Sequence, residues 1–374
     1  MQRAHKIRIY PTKEQEVRLR KTVGTSRFVY NWALATWKRM YEDFDNGVSR
    51  EKPNAYLLSR KWTTERPEWS KETNRISQSK AIMNVGKAFQ NLWKGHTNYP
   101  TFHKKGRGDG FYVDNQHATI LGSFIRLPNI GHVRLAESLR LDGKIMSYSV
   151  STYAGQWHVS VQVETAGDPR PPCSNPASIV GIDVGLAHLA TVSDGTVLDA
   201  PASLGKLDMK LRRAQRALAR SQRNSRNRYK LHVRKQKVQN KINNIRHDVT
   251  HKFTTAVAKS HGTVVVEDLH VQDMKEKAQY RSLRRSFNSS CMSEILRQLS
   301  YKVQVLRKVD RYFPSSKTCS ACGALKDSLD LGERTYRCGC GAVIDRDLNA
   351  AINLMNSGTV SPIEPVETAV YGCR

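Results

Sequence analysis

The sequence predicts an α+β protein of several domains, and three observations carry that reading. Residues 110–165 are short alternating segments broken by Gly, Asn and Pro, the pattern of an antiparallel barrel or sandwich. After a proline-rich stretch the order becomes strand, strand, long helices, strand, helix, strand, which describes an α/β domain with a mixed sheet. Four of the seven cysteines crowd into residues 319–340, where few apolar residues are available for a core, and this suits an inserted zinc ribbon. At 374 residues the chain is also too long for one ordinary core.

The elements follow in order. The first ten residues, ending in KIRIY, alternate as a strand does and complete the β domain. Pro11 stops that strand, and Thr12 with Gln15 makes a capping box for a helix running through SRFVYNWALATWKRM. NRISQSKAIMNVGKAFQNLWK, residues 74–94, is a second helix with Ile82, Val85, Phe89 and Leu92 or Trp93 on one side. Helices at about 12–108 are therefore inserted into a β domain of residues 1–165, whose other strands are FYVD, FIRLP, HVRLAE, IMSYSVSTYAG and WHVSVQVE. AGDPRPPCSNPAS, with four prolines in thirteen residues, marks a linker at 166–178. SIVGIDVG, HLATVSDG and TVLDA then suit a meander, and TVVVEDL, apolar throughout, a central strand. In DRDLNAAINLM, Leu348, Ala351, Ile352 and Met355 share a helix face, and residues 357–374 read as a mobile tail.

Lys and Arg outnumber Asp and Glu by 61 to 33, a net charge of +28, and a surface so one-signed calls for a polyanionic partner, nucleic acid first. The charge is spread over many segments rather than gathered in one membrane-facing patch. No run approaches the roughly 20 apolar residues that span a bilayer, and no signal-peptide stretch follows the N-terminal charges, so a cytosolic or nucleoid location is expected. Residues 206–246 carry fifteen Lys or Arg against one acid, Asp208. Arg212, Arg213, Arg216, Arg220, Arg223 and Arg226 recur there on adjacent helical turns, as tracking a phosphate backbone requires. YPTFHKKGRG at 99–108 is a second basic loop, with Lys104 and Lys105 beside aromatics that either stack on bases or anchor the loop. The helix around Arg75 to Lys80 is a further candidate for contact with duplex DNA.

Asp183 and Glu267 end apolar strands and Asp347 opens a helix. Hydrolysis of a phosphodiester by two divalent ions needs carboxylates that hold them about 3.5 to 4 Å apart, and Mg²⁺ suits hard oxygen ligands. Gly185 leaves room for a phosphate backbone beside Asp183, and the helix dipole favours Asp347 as an anion. Any one of the three, taken alone, is more commonly a turn or cap residue; their order along the chain makes them a set. Asp345 competes with Asp347, one serving as ligand and the other as N-cap, and Asp347 is preferred as the ligand. The cysteines read C-x2-C, fifteen residues, C-x-C: Cys319, Cys322, Cys338 and Cys340. Four thiolates leave no open position for water, so this zinc is structural.

GIDVGLAHLATVSDG, the basic segment running into RHDVTHKFT, VVVEDL, YFPSSKTCSACG, RCGCG and DRDLNAAINLM together resemble the TnpB (OrfB) family, transposon-encoded proteins related to the Cas12 nucleases. IRIYPTKEQ, SRFVYNWAL and YPTFHKK fit the same family, so the resemblance covers about residues 1–356. It implies a β-barrel wedge domain with a helical recognition insert over the first 165 or so residues. An RNase H-like (RuvC) nuclease domain follows in two pieces, 179–312 and 344–356, with a zinc-binding target-nucleic-acid module at 313–343. It further implies an RNA-guided DNA endonuclease with one RuvC site built on Asp183, Glu267 and Asp347, Mg²⁺, a guide RNA derived from the transposon end, and a short transposon-adjacent motif read on duplex DNA. Many members have C-x2-C in the second zinc pair where this chain has Cys338-Gly-Cys340, a tighter turn that still supplies two thiolates. None of the three acids is replaced, which argues against nuclease-dead relatives. Two rival readings keep the same fold: a guided DNA-binding protein that no longer cuts, through a change such as one in residues 281–295, and a guide-free RNase H-like nuclease.

Overall fold

In the computed structural model, which describes residues 1–168, 170–330 and 332–360, the chain divides into two compact units, one ending at Gly167 and the other beginning at Asp168. The first unit comprises β1 (Gln2–Tyr10), α1 (Lys13–Asp45), α2 (Ala55–Glu65), α3 (Arg75–Trp93), β2 (Gly110–Asp114), β3 (Thr119–Leu121), β4 (Phe124–Leu127), β5 (Gly131–Leu135), β6 (Lys144–Tyr153) and β7 (Gln156–Glu164). All strand pairs are antiparallel, in the order β2-β6-β7-β1-β5-β4-β3, so the first strand lies at the centre of the sheet. Trp157, Val159, Val161 and Val163 alternate inward along β7 and meet Ile7, Ile9, Val113, Ile125, Val133 and Val150 in one core. A single core fed from both ends of one sheet requires that sheet to curl; among the described residues no ladder joins β2 to β3.

The capping box on α1 forms as its sequence dictates: Thr12 Oγ1 accepts from the Gln15 amide at 3.2 Å, and Gln15 Oε1 from the Thr12 amide at 3.0 Å. Ile82, Val85 and Phe89 of α3 pack against Val29, Leu34 and Trp37 of α1, whereas Trp93 stays exposed. The sequence reading missed α2, which gives that core only Leu58 and Trp62.

The second unit comprises β8 (Ile179–Asp183), β9 (Ala190–Val192), β10 (Val197–Leu198), α4 (Ser203–Arg220), α5 (Arg226–Ser260), β11 (Thr263–Glu267), α6 (Val271–Lys277), α7 (Arg281–Ser289), α8 (Met292–Lys302), β12 (Val305–Val309), β13 (Thr335–Arg337), β14 (Val343–Asp345) and α9 (Arg346–Val360). Its main sheet is mixed, in the order β10-β9-β8-β11-β12: β8, β11 and β12 are parallel, and β9 and β10 extend β8 as an antiparallel meander. Val264, Val265 and Val266 are fully buried in the central β11, as an apolar run covered on both faces should be. α4 and α5 form a hairpin around Leu204, Leu207 and Ile242, leaving their basic residues outward. Among the described residues no helix is long and apolar enough to cross a membrane.

Two expectations about the C-terminal helix change. α9 continues to Val360, so residues 357–360 of the expected tail are helical; the rest of that tail, 361–374, lies outside the described residues. Its inner face is also rotated. Ala350, Ala351 and Leu354 are buried together with Asn349 and Asn353, while Leu348, Ile352 and Met355 are only half-buried, because polar side chains take part of the inner face.

Candidate active site and metal centres

Asp183 and Glu267 reach one edge of the sheet by register. β8 and β11 run parallel with Val266 opposite Ile182, and each acid follows that pair by one residue. Apolar side chains anchor both strands, so the polar residue that ends each is held at the C-terminal edge, where parallel sheets place their ligands. Asp347 arrives on α9, whose backbone lies directly on the strands. A Cβ at Gly181 would stand 2.0 Å from the Ala351 carbonyl oxygen, and one at Gly358 would stand 2.4 Å from Val265 Cγ2. These two glycines are what the close approach demands; Gly181, a glycine inside an apolar strand, was the readable signal.

Hydrogen bonds distinguish the two aspartates of DRD. Asp345 Oδ1 accepts from the amides of Asp347 and Leu348, both at 3.0 Å, and so caps α9. Asp347, the second residue of the helix, keeps its carboxylate for other partners and lies 3.8 Å from the Arg334 guanidinium.

The acids share one electrostatic field. Burial, then the charges of Asp347 and Glu267, raise Asp183 to about 7 against the lowering influence of Arg346, with Asp345 adding to the rise. Protein atoms crowd its carboxyl although part of the residue stays accessible. Glu267 is likewise raised to about 7, by burial and then by Asp310. Repulsion between carboxylates is mutual, so Asp183 and Glu267 are two ends of one coupling even though burial and Asp310 dominate at Glu267. Asp310 had escaped the sequence reading; it follows Val309, the partner of Glu267 across β11 and β12.

This donor set fits divalent cations. It is made of hard oxygens, and its uncompensated negative charge is what a dication relieves. The oxygens of Asp183, Glu267 and Asp347 do not all lie within 4.8 Å of one another, so one ion does not touch all three in this arrangement. A pair of ions about 3.5 to 4 Å apart serves a wider set.

The cysteines form a tighter centre. All four sulfurs lie within 4.8 Å of one another, with Cys319 and Cys340 3.8 Å apart and Cys322 and Cys338 3.6 Å apart. A tetrahedron with metal–sulfur bonds of about 2.3 Å has edges of about 3.8 Å, so the cluster can hold a metal such as zinc. Each pair sits in a turn closed by a glycine with positive φ, Gly323 at 76° and Gly341 at 94°, and the shorter second turn closes as readily as the first. The Cys322 amide is the largest of the influences that lower the Cys319 thiol to about 7. Cys322 itself accepts from the Ala324 amide, but Cys340, Cys338 and Cys319 push it up to about 12: the four thiols share charge that a cation would neutralise.

The loop bearing Cys319 is tied to α9. Asn349 donates to the Thr318 carbonyl at 2.7 Å and accepts from the Ser320 amide at 2.9 Å, and Asn353 donates to the carbonyls of Ser315 and Thr318 at 2.8 and 2.7 Å. Both asparagines are buried on the helix that carries Asp347. Their i, i+4 spacing was legible, but nothing in it named their partners.

The expected nucleic-acid residues are dispersed. Arg212, Arg213, Arg216 and Arg220 are exposed on α4 and Arg226 opens α5; Arg223 lies in the connection between them, not on a helical turn. Arg75 begins α3 exposed, and Lys80 places its ammonium 4.6 Å over the Tyr112 ring. Lys104 and Lys105 are exposed, and the aromatic side chains of their loop differ in what they touch. His103 anchors the loop, stacked on Tyr30 at 3.7 Å and clamped by Asn31, while Tyr99 and Phe102 remain half exposed beneath Lys38.

Comparison with known proteins finds matches along most of the chain. The IS605 OrfB family model, described as a probable transposase, matches residues 158–278, and a Cas12f1-like TNB domain model matches 293–354. A helix-turn-helix model of the OrfB family matches residues 1–45, which here form one strand and one long helix. InsQ of Escherichia coli (strain K12), named as a proposed RNA-guided DNA endonuclease, is 32% identical over 95% of this chain and 92% of its own length. A protein of Streptomyces pristinaespiralis with the same proposed activity is 32% identical over 96% of this chain and 90% of its own. Among solved structures, Cas12f1 in complex with sgRNA and target DNA has a TM-score of 0.56 at 14% identity, covering 96% of this chain and 99% of that one, so the α+β fold is Cas12-like.

Proposed function

The chain belongs to the IS605 OrfB (TnpB) family, and from that premise we propose that it is an RNA-guided DNA endonuclease of the TnpB/Cas12 type, with a guide RNA from the transposon end and a short transposon-adjacent motif on the target duplex. The observation that carries the cutting activity is the meeting of Asp183, Glu267 and Asp347 in one field at the C-terminal edge of the parallel strands. In this reading residues 179–312 with 344–360 are a RuvC-like nuclease domain and 313–343 a zinc-bearing target module. Residues 1–165 are the wedge with its helical insert, joined to the rest by 166–178.

Asp183, Glu267 and Asp347 would hold Mg²⁺, which when bound would activate water and stabilise the leaving oxygen of the phosphodiester. Asp345 keeps the first turn of α9 ordered so that Asp347 points consistently. Gly181 lets that turn approach the strands. Exposed arginines of α4 and α5 hold phosphates, while base pairing with the guide supplies sequence specificity. Cys319, Cys322, Cys338 and Cys340 would hold zinc, which closes their loop and takes no part in the chemistry.

The test is purified protein with its co-purifying RNA, target duplex and Mg²⁺. Asp183→Ala or Glu267→Ala should bind RNA within a few fold of the parent and leave the duplex uncut. Cleavage retained in either variant overturns the site, and cleavage by RNA-free protein overturns the guided mechanism.

A further inference from the structure

α5 and α8 carry, where they meet, a donor set separate from both the carboxylates and the cysteines. His247 and His251 stand one turn apart on α5 with rings stacked 4.9 Å apart, and Glu294 stands in the first turn of α8. One donor atom from each lies within 4.8 Å of the other two, and His247 Nε2 is 3.5 Å from Glu294 Oε1. We propose that His247, His251 and Glu294 form a binding site for a borderline first-row transition ion, Zn²⁺ by preference, that clamps α5 to α8.

Bonds of about 2.0 to 2.2 Å place neighbouring ligands about 3 to 3.5 Å apart, so the His247–Glu294 separation is already suitable and the rest closes by side-chain movement of about an ångström. The site is open to solvent: the His247 side chain is 57% exposed. Two imidazoles and one carboxylate discriminate against Mg²⁺, which takes oxygen ligands, and favour Zn²⁺, Co²⁺ or Ni²⁺.

The surroundings orient the ligands. Lys302, buried and bonded to Thr254, Thr255 and Gln298, lies 3.0 Å from His251 Nδ1 and fixes the position of that ring. Glu294 is gripped by Arg297, at 2.8 Å to Oε2 and 2.7 Å to Oε1, and by Gln298 at 2.8 Å to Oε1. The Arg297 pair is within one helix and half exposed, a class of ion pair that contributes little, so a coordinate bond can displace it. The ion would join the helix that leads into β11 to the helix that leads into β12, bracing the two strands beside which Glu267 and Asp310 stand.

The competing account is a simple brace, with protonated His247 paired to Glu294. The two differ in cobalt uptake. Full-length protein with its cysteine centre already loaded with zinc should take one further equivalent of Co²⁺, with weak d–d bands and no sulfur-to-metal charge transfer. His247→Gln and Glu294→Gln should each weaken that uptake about 10-fold or more while leaving the cysteine zinc in place. His247 is the more exposed ligand, so its variant folds, and Zn²⁺ should raise the melting temperature of the parent more than that of His247→Gln. No further equivalent below about 100 μM Co²⁺ (a ΔG of roughly −5 kcal/mol), or uptake unchanged in Glu294→Gln, overturns the proposal.

Discussion

The cysteine cluster and the carboxylate edge sit at opposite ends of one design range. The cysteines come from 22 consecutive residues, in two turns whose geometry is set locally, and their sulfurs already stand at tetrahedral spacing. The acids come from residues 183, 267 and 347, brought together by strand register and by a helix lying on glycines, and their oxygens span more than one ion can bridge. A site encoded by local turns is shaped before its metal arrives. A site assembled from distant segments stores like-charge repulsion that its metal must relieve, and catalytic sites are where such repulsion is tolerated.

The comparison breaks most visibly at the acids themselves. Asp183→Ala or Glu267→Ala is expected to lower cleavage by about 10³-fold or more, the scale on which losing one member of a catalytic unit is felt, with guide binding nearly unchanged in a filter or gel-shift assay. Next is Gly181→Ala, which places a methyl 2.0 Å from the Ala351 oxygen. Overpacking of this kind costs about 1 to 3 kcal/mol, so the melting temperature should fall and cleavage with it, although every acid is retained. An unchanged melting temperature would mean that α9 does not rest on β8.

Cys319→Ser should remove the cysteine-bound zinc, measurable by elemental analysis as the loss of about one ion per chain, and should lower solubility before it touches chemistry. The acids should respond to pH in a way the cysteines do not. Asp183 sits near 7 in the fold, against about 3.9 in an unfolded chain. Its protonated form is therefore favoured on folding, and the stabilisation present below pH 4 is lost as pH rises through 7. Metal-free protein should thus melt progressively lower between pH 4 and 7, and Mg²⁺ should reverse that loss at neutral pH. Asp183→Asn should flatten the trend and lose most of the Mg²⁺ response; an identical pH profile in the variant would separate Asp183 from the site.

The smallest effect is the most discriminating. Asp345→Ala should cost about 1 kcal/mol of stability through the lost N-cap and reduce cleavage only partly. Asp347→Ala should abolish cleavage at little cost in stability. A reversal of these two outcomes would exchange the roles of the aspartates.

How much of this was legible follows the same contrast. The zinc-ribbon spacing, the Thr12 capping box and the Val264–Val266 strand are local patterns, and the structure forms each of them from the residues that announce it. The convergence of Asp183, Glu267 and Asp347 had no local signature; their order along the chain and a family resemblance pointed to it. Asp310 was missed because its partner is fixed by a parallel pairing between strands about forty residues apart, which periodicity does not encode. The inner face of α9 was misread because hydrophobic spacing has no way to score Asn349 and Asn353, whose burial depends on carbonyls of a distant loop.

Those two asparagines make the cysteine loop a poor cassette. Excising residues 313–343 and splicing the ends would strand two buried amides on α9 without acceptors, at about 1 to 3 kcal/mol apiece, on the helix that aims Asp347. Anyone shortening or transplanting this segment must therefore redesign positions 349 and 353 together with it, or accept a helix that has come loose from its loop.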